Sequence, residues 1–337
     1  MRAWVLEEQA SIEERPLKFV DVPTPDPQED EVRVRVLVCG VCRTDIHIAE
    51  GDLPLKKPST ILGHEIVGVV DAVGGNVERF RIGDRAGVYW LHSACGQCKY
   101  CLSQRENYCP EIQCTGWDVD GGYAEYVTVP AEYALPLSEV QLEAFEIAPL
   151  MCPGIAGYAA FKLTGVQQGD RLGLYGFGPT AYCVLKVAQR MGIEVYVSTR
   201  SQKNIDSARR EGVRWAADAA KEEMPCRLDA AILFPPAGRL VEPVLSQLER
   251  GGTLVMAPVS ASPIRIEKYS ENLWGRDIRT LYNLKKSDAE EFFEIVDRLD
   301  LQVGTSLFPF EELHDALILA RQGRLEQPNA VIEVAGR

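Results

Sequence analysis

The chain has 337 residues, 46% hydrophobic and 25% charged, enough for two domains around a large buried core. Its net charge of −13 makes nucleic acid and anionic membrane surfaces poor partners. No apolar run approaches the roughly 20 residues of a membrane span, and the start, Met1-Arg2-Ala3-Trp4-Val5-Leu6-Glu7-Glu8, reaches acids too soon for a secretory signal. The expectation is a cytoplasmic protein whose ten cysteines are ligands or core residues.

From Met1 to about Pro136, short strands are separated by Gly, Pro and Asp. Val32, Val34, Val36 and Val38 alternate with Arg33, Arg35, Leu37 and Cys39, a period of two that marks a half-buried strand. Ile66 to Val73 is a second strand, ended by Gly74-Gly75-Asn76, and Tyr123 to Val129 is another. Strands without intervening helices suggest an antiparallel or barrel-like domain. Polar chemistry collects in two of its loops, Cys42-Arg43-Thr44-Asp45-Ile46-His47 and Gly63-His64-Glu65, which hold two of the chain's four histidines beside a cysteine or an acid. Cysteine and histidine together suit zinc, and a site with fewer than four protein ligands is catalytic. Spacing alone leaves open whether His47 or His64 binds the metal.

Cys95-x2-Cys98-x2-Cys101-x7-Cys109 follows, in a polar loop. Four thiolates at this spacing can wrap a single tetrahedral Zn²⁺ with no open position, so this metal holds a loop in shape rather than reacts. In a cytosolic chain the pattern favours zinc over disulfides. An iron–sulfur cluster fits less well, because the last interval is too long and no proline follows in the usual place.

At about Leu150 the pattern changes to alternating strands and helices. Asp170 to Tyr175 is a short apolar strand, Gly176-Phe177-Gly178-Pro179-Thr180-Ala181 a turn, and Tyr182 to Met191 a helical run. This is G-x-G-x-x-A in a strand–turn–helix setting. The first glycine permits the tight turn, the second lets a pyrophosphate approach the backbone, and the small third residue packs helix on strand. Phosphate then sits on the helix N-terminus. Further strands are expected at 194–199, 230–234 and 253–259, with helices at 202–211 and 240–248, giving a doubly wound parallel sheet. An NAD site places Asp or Glu at the end of the second strand. Here stands Ser198-Thr199-Arg200-Ser201-Gln202-Lys203, with no acid before Asp206. Arg200 and Lys203 are placed to pair with a 2′-phosphate, which favours NADP over NAD. Arg276 to Leu284 reads as the final strand of this sheet. Beyond it come a helix from Lys286 (Phe292, Phe293, Val296 and Leu299 on one face), a helix from Phe310 to Gly323 and a strand from Ala330 to Val334, expected to return to the first domain.

Taken together, Gly40 to His47 (G-V-C-R-T-D-I-H), Gly63-His64-Glu65, the four-cysteine lobe, Leu150-Met151-Cys152-Pro153-Gly154 and the G-x-G-x-x-A turn, in that order, resemble the zinc-dependent alcohol dehydrogenases of the medium-chain dehydrogenase/reductase superfamily. The resemblance covers nearly the whole chain and is closest to the bacterial and archaeal branch near the cinnamyl-type and primary-alcohol enzymes. It implies an α/β fold: a GroES-like β-rich catalytic domain from residues 1–149 and 285–337, and a doubly wound parallel (Rossmann) nucleotide-binding domain from residues 150–284. Two zinc ions per subunit are implied, a catalytic one on Cys42, His64 and Cys152 and a structural one on Cys95, Cys98, Cys101 and Cys109.

The same resemblance makes Glu65 a carboxylate that approaches the metal as ligands exchange, and Asp45 the one that orients His64. It makes Arg43 a pyrophosphate contact. Gly176, Gly178, Pro179, Thr180, Ala181, Thr199, Arg200 and Lys203 complete the cofactor site, and Thr44 and His47 form the proton path to solvent. Trp90 and Trp117 align with positions that narrow the substrate pocket, and Leu273 and Trp274 with its mouth. The implied activity is hydride transfer between NAD(P)(H) and a small primary aliphatic or aromatic alcohol or aldehyde, in a homodimer or homotetramer. Two departures stand out: Ala181 replaces the third glycine, and Gly323-Arg324-Leu325-Glu326-Gln327-Pro328-Asn329 replaces the family's usual glycine with a following arginine. Polyol or secondary-alcohol dehydrogenases are the nearest rival, but they commonly place a glutamate where Cys152 stands. A non-catalytic zinc-binding redox protein does not need an open zinc site and a nucleotide turn in one chain. Cys39, Cys114, Cys183 and Cys226 fit no ligand pattern and read as packing residues.

Overall fold

The computed structural model describes residues 1–335, which form two compact units. The first comprises Met1–Cys152, Asn283–Arg298 and Gln302–Arg337, and the second Pro153–Tyr282 with Leu299–Leu301.

The first unit is built on strand Glu31–Gly40, which pairs antiparallel with Glu65–Val73 on one side and, at opposite ends, with Tyr126–Pro130 and Asn329–Glu333 on the other. Alternation puts Val32, Val34, Val36 and Val38 in the core, while Arg33 pairs with Asp71 of the neighbouring strand at 3.0 Å. The predicted strand from Tyr123 begins at Tyr126; Tyr123 itself accepts the backbone N–H of Trp4 at 2.9 Å outside that ladder. Strand Thr305–Pro309, absent from the sequence-based reading, extends the sheet by pairing parallel with Asn329–Glu333. A further correction concerns 42–47, expected as a loop. Arg43–Glu50 is an α-helix, opened by the N–H of Cys42 donating to Asp45 Oδ2 at 2.9 Å and closed by Gly51 in the left-handed region. A carboxylate three residues into the helix caps its own start, so a cysteine can occupy the capping position.

The second unit carries a six-stranded, all-parallel sheet. Its strands lie in the order Trp215–Ala217, Glu194–Ser198, Arg171–Tyr175, Leu228–Leu233, Leu248–Met256, Asp277–Thr280. Numbered along the chain this is 3-2-1-4-5-6, the doubly wound order whose topological switch lies between the first and fourth strands. The edge strand is shorter than the 276–284 expected, and Asn283 already belongs to the first unit. Helix Pro153–Thr164, unpredicted because it is apolar on nearly every side, packs against helix Pro179–Arg190, which begins three residues before the expected Tyr182. Among the described residues no single helix is long and apolar enough to cross a membrane.

Candidate functional site

Side chains from three places in the first unit converge beside the end of strand Glu31–Gly40. Cys42 opens the helix that follows this strand, His64 immediately precedes the neighbouring strand and Glu65 begins it, and Cys152 closes the unit's first stretch. Each contributes an atom to a cluster in which all donors lie within 4.8 Å of one another, and the two sulfurs are 3.7 Å apart. Glu65 reaches the group because its strand partner is Gly40; a Cβ at Gly40 would fall on the Glu65 carboxylate.

Asp45, fully buried, organises this cluster. Its carboxylate accepts from the Cys42 N–H at 2.9 Å, the Tyr123 hydroxyl at 2.8 Å and the Gly63 N–H at 3.3 Å, and lies 3.1 Å from His64 Nδ1. A proton on Nδ1, donated to Asp45, leaves Nε2 with the lone pair a metal requires. Nε2 is buried and has no hydrogen-bond partner among the described residues. Burial opposes the charged imidazolium, yet Asp45 and Cys42 outweigh it and raise the His64 pKa well above its ordinary value. Within the cysteine pair, the contact with Cys152 holds Cys42 well below the usual thiol range, and the same contact drives Cys152 up. Burial pushes the Glu65 carboxyl well above its usual range. An orphaned imidazole nitrogen, two facing thiols and a concentration of negative charge fit a borderline-soft divalent cation such as Zn²⁺.

His47, the other candidate left by spacing, lies apart from the cluster. It is 38% exposed and its Nδ1 sits 2.7 Å from Asp52 Oδ2. Thr44 is half-buried and Arg43 exposed on the same helix. Trp90 stands edge-on to His64 with ring centroids 5.0 Å apart, and stacks on Trp117 at 6.0 Å. Leu273 packs against the core of the second unit and Trp274 is exposed.

Cys95, Cys98, Cys101 and Cys109 also form a compact cluster, with Sγ separations of 3.9 Å (Cys95 to Cys101) and 3.6 Å (Cys98 to Cys101). Cys109 Sγ accepts the N–H groups of Cys95 and Glu111. Backbone N–H donation from Cys101 leads the causes that lower Cys98 to about 7, a thiolate-favouring setting that a metal would complete. Cys39, Cys114 and Cys183 are buried, and Cys226 contacts the Tyr196 hydroxyl.

In the second unit a cavity of about 630 Å³ opens at the switch point. Gly176, with φ +90°, makes the turn at its floor, a backbone only glycine adopts without strain. Gly178 has open space where a Cβ would be, as a close-lying phosphate requires. Thr199, Arg200 and Ser201 line the cavity; Lys203 is exposed and does not. Asp218 and Arg239 line it too and were missed in the sequence. Arg239 follows Pro235-Pro236-Ala237-Gly238 just beyond a strand's C-terminal end, which was the available signal.

Residues 28–139 match the alcohol dehydrogenase GroES-like domain family. The chain is 41% identical to a probable alcohol dehydrogenase AdhA of Mycobacterium tuberculosis (strain CDC 1551 / Oshkosh), over 96% of this chain and 95% of the relative. It is 32% identical to an alcohol dehydrogenase of Geobacillus stearothermophilus, over 92% and 93%. Among solved structures, a cinnamyl alcohol dehydrogenase of Sorghum bicolor superposes with a TM-score of 0.88 at 25% identity, covering 99% of this chain and 98% of that one. The chain belongs to the zinc-dependent alcohol dehydrogenases of the medium-chain dehydrogenase/reductase superfamily and is an enzyme of NAD(P)-linked alcohol and aldehyde redox chemistry.

Proposed function

We propose that the protein oxidises a small primary aliphatic or aromatic alcohol, reversibly, with NADP(H) as hydride carrier, at a zinc held by Cys42, His64 and Cys152. The observation that carries the reading is the buried, partnerless Nε2 of His64 beside two thiols. Leaving such an atom unpaired costs about 1–3 kcal/mol, which a metal bond removes. When bound, the metal supplies Lewis acidity that lowers the pKa of a ligated alcohol, and the nicotinamide accepts or returns a hydride.

The chain's residues do the rest. Asp45 fixes the His64 ring, and Glu65 is near enough to serve as an alternate ligand. The Thr44 hydroxyl relays the alcohol proton, passing its own on as it accepts, and His47, whose Nδ1 lies 2.7 Å from Asp52 Oδ2, completes the path to solvent. Trp90 and Trp117 narrow the pocket toward unbranched or flat substrates. The turn formed by Gly176, Gly178, Pro179, Thr180 and Ala181 holds the pyrophosphate. Arg200 and Arg239, both on the cavity, support a 2′-phosphate contact, with Lys203 in the helix that follows Arg200. Cys95, Cys98, Cys101 and Cys109 hold a second, structural zinc. The exposed Trp274 and Tyr282 flank the edge strand Asp277–Thr280, which suits a homodimer formed across that edge, with a homotetramer as a pair of such dimers. Ten free cysteines suit a reducing cytoplasm.

A panel of primary, secondary and aromatic alcohols assayed with both cofactors tests the reading. Primary alcohols should turn over, with kcat/KM for NADP⁺ about tenfold above that for NAD⁺. His64→Ala should abolish turnover, and His47→Gln should slow it and alter its pH profile. Near-normal activity in His64→Ala would overturn the zinc assignment, and a tenfold preference for NAD⁺ the cofactor assignment.

A further inference from the structure

One side chain joins the four-cysteine lobe to the aromatic ring that stands against His64. Asn283 is the residue at which the chain re-enters the first unit. It holds a left-handed backbone, φ +50°, which asparagine tolerates better than other side-chain-bearing residues. Its amide faces two ways. Oδ1 accepts the indole N–H of Trp90 at 3.1 Å, and Nδ2 donates to the carbonyl of Asn107 at 3.4 Å. Asn107 is buried in the turn Glu106–Tyr108, between Cys101 and Cys109. The Lys286 N–H, donating to Glu106 at 2.7 Å, fastens the same turn to the segment that carries Asn283. At the far end Trp90 stands edge-on to His64 and stacked on Trp117. A half-buried indole has one N–H to satisfy, and the partner it uses fixes the plane of the ring.

We propose that Asn283 is a specificity-positioning residue. By bridging Asn107 to Trp90 it locks the ring wall beside His64, and so sets the width that admits a primary alcohol and turns away one branched at the carbinol carbon. The inference rests on the alcohol-dehydrogenase reading and deepens it. It gives the cysteine lobe a part in substrate choice, since order in that loop reaches Trp90 through a single amide.

Asn283→Gly keeps the backbone conformation and deletes both arms of the bridge, whereas Asn283→Asp keeps an acceptor for Trp90 and loses the donor to the Asn107 carbonyl. The metal-loaded enzymes are compared for kcat and KM on a matched primary and secondary alcohol. The indole N–H resonance of Trp90 is followed by NMR and assigned by its absence in Trp90→Phe. In Asn283→Gly, KM for the primary alcohol should rise with kcat nearly unchanged, and the primary-to-secondary ratio of kcat/KM should fall about tenfold, the size of effect one pocket contact commands. The Trp90 resonance should shift or broaden, and Asn283→Asp, which keeps only the Trp90 arm of the bridge, should also lower the ratio; a full return of both readouts in Asn283→Asp would overturn the bridge to Asn107. An active wild type whose Asn283→Gly variant keeps both the ratio and the resonance overturns the inference alone. So does a fall in kcat on both alcohols with the ratio intact, which would mark a purely structural residue. A wild type inert toward every alcohol overturns the enzymatic reading and the inference with it.

Discussion

Asp45 concentrates more of the candidate site than any ligand does. One buried carboxylate takes the helix-opening N–H, a tyrosine hydroxyl, the Gly63 N–H and the His64 ring. Asp45→Asn preserves shape but turns one acceptor oxygen into a donor, so at least one of these N–H or O–H groups faces another donor. A buried donor left unpaired costs about 1–3 kcal/mol, and loosening the group that orients a histidine ligand costs about 10–100-fold in metal affinity. The variant should therefore melt lower and release zinc faster to a chelator, with loss of turnover following metal loss. Unchanged zinc retention would remove Asp45 from the role. Spacing left His47 and His64 as equals; what separates them is burial, since one meets Asp45 in the core and the other Asp52 at the surface. The pairing of Cys42 with Cys152, 110 residues apart, had no local signal and was reached only through resemblance.

Elements were legible where one face is apolar and the other polar. Strand Glu31–Gly40 and helix Gln202–Arg210 announce themselves this way, because burial of one face is what stabilises them. Elements wet or dry on every side stayed hidden. Helix Pro153–Thr164 reads as an unpatterned apolar run, and strand Thr305–Pro309 lies at a sheet edge with little to bury. Short elements failed for a different reason. Trp215–Ala217 has three residues, too few to show a period, and forms because Glu194–Ser198 offers it an open parallel edge. Helix Arg43–Glu50 is polar at its start, where a cap rather than a pattern decides the structure. The G-x-G-x-x-A turn was readable because its chemistry is local, whereas Arg239 enters the same cavity from the short helical turn Gly238–Leu240, far along the chain.

Over the whole molecule the acidic balance is ordinary surface charge, and the acid sensitivity should instead come from the interior. Three of the four histidines are buried, and two of these, His92 and His314, belong to neither metal-ligating cluster of the first unit. His314 Nε2 accepts the Leu17 N–H at 3.2 Å, a bond only the neutral ring can make, and His92 Nδ1 is buried with no hydrogen-bond partner among the described residues. Desolvation lowers both from 6.5 to about 4, with Arg15 adding to the effect at His314. The unfolded chain takes up these protons near pH 6.5 and the folded chain only near 4, so stability is full above 6.5 and falls as the pH drops between the two. Each imidazole contributes up to roughly 3 kcal/mol over that window. Urea unfolding at about pH 7 and about pH 5, with zinc release followed in the same samples, should show this loss. His92→Leu and His314→Gln should each reduce the pH dependence, and together remove most of the part not accompanied by zinc release. If both variants lose as much stability as the wild type between those conditions, the acid sensitivity belongs to the metal sites, and the two histidines are silent.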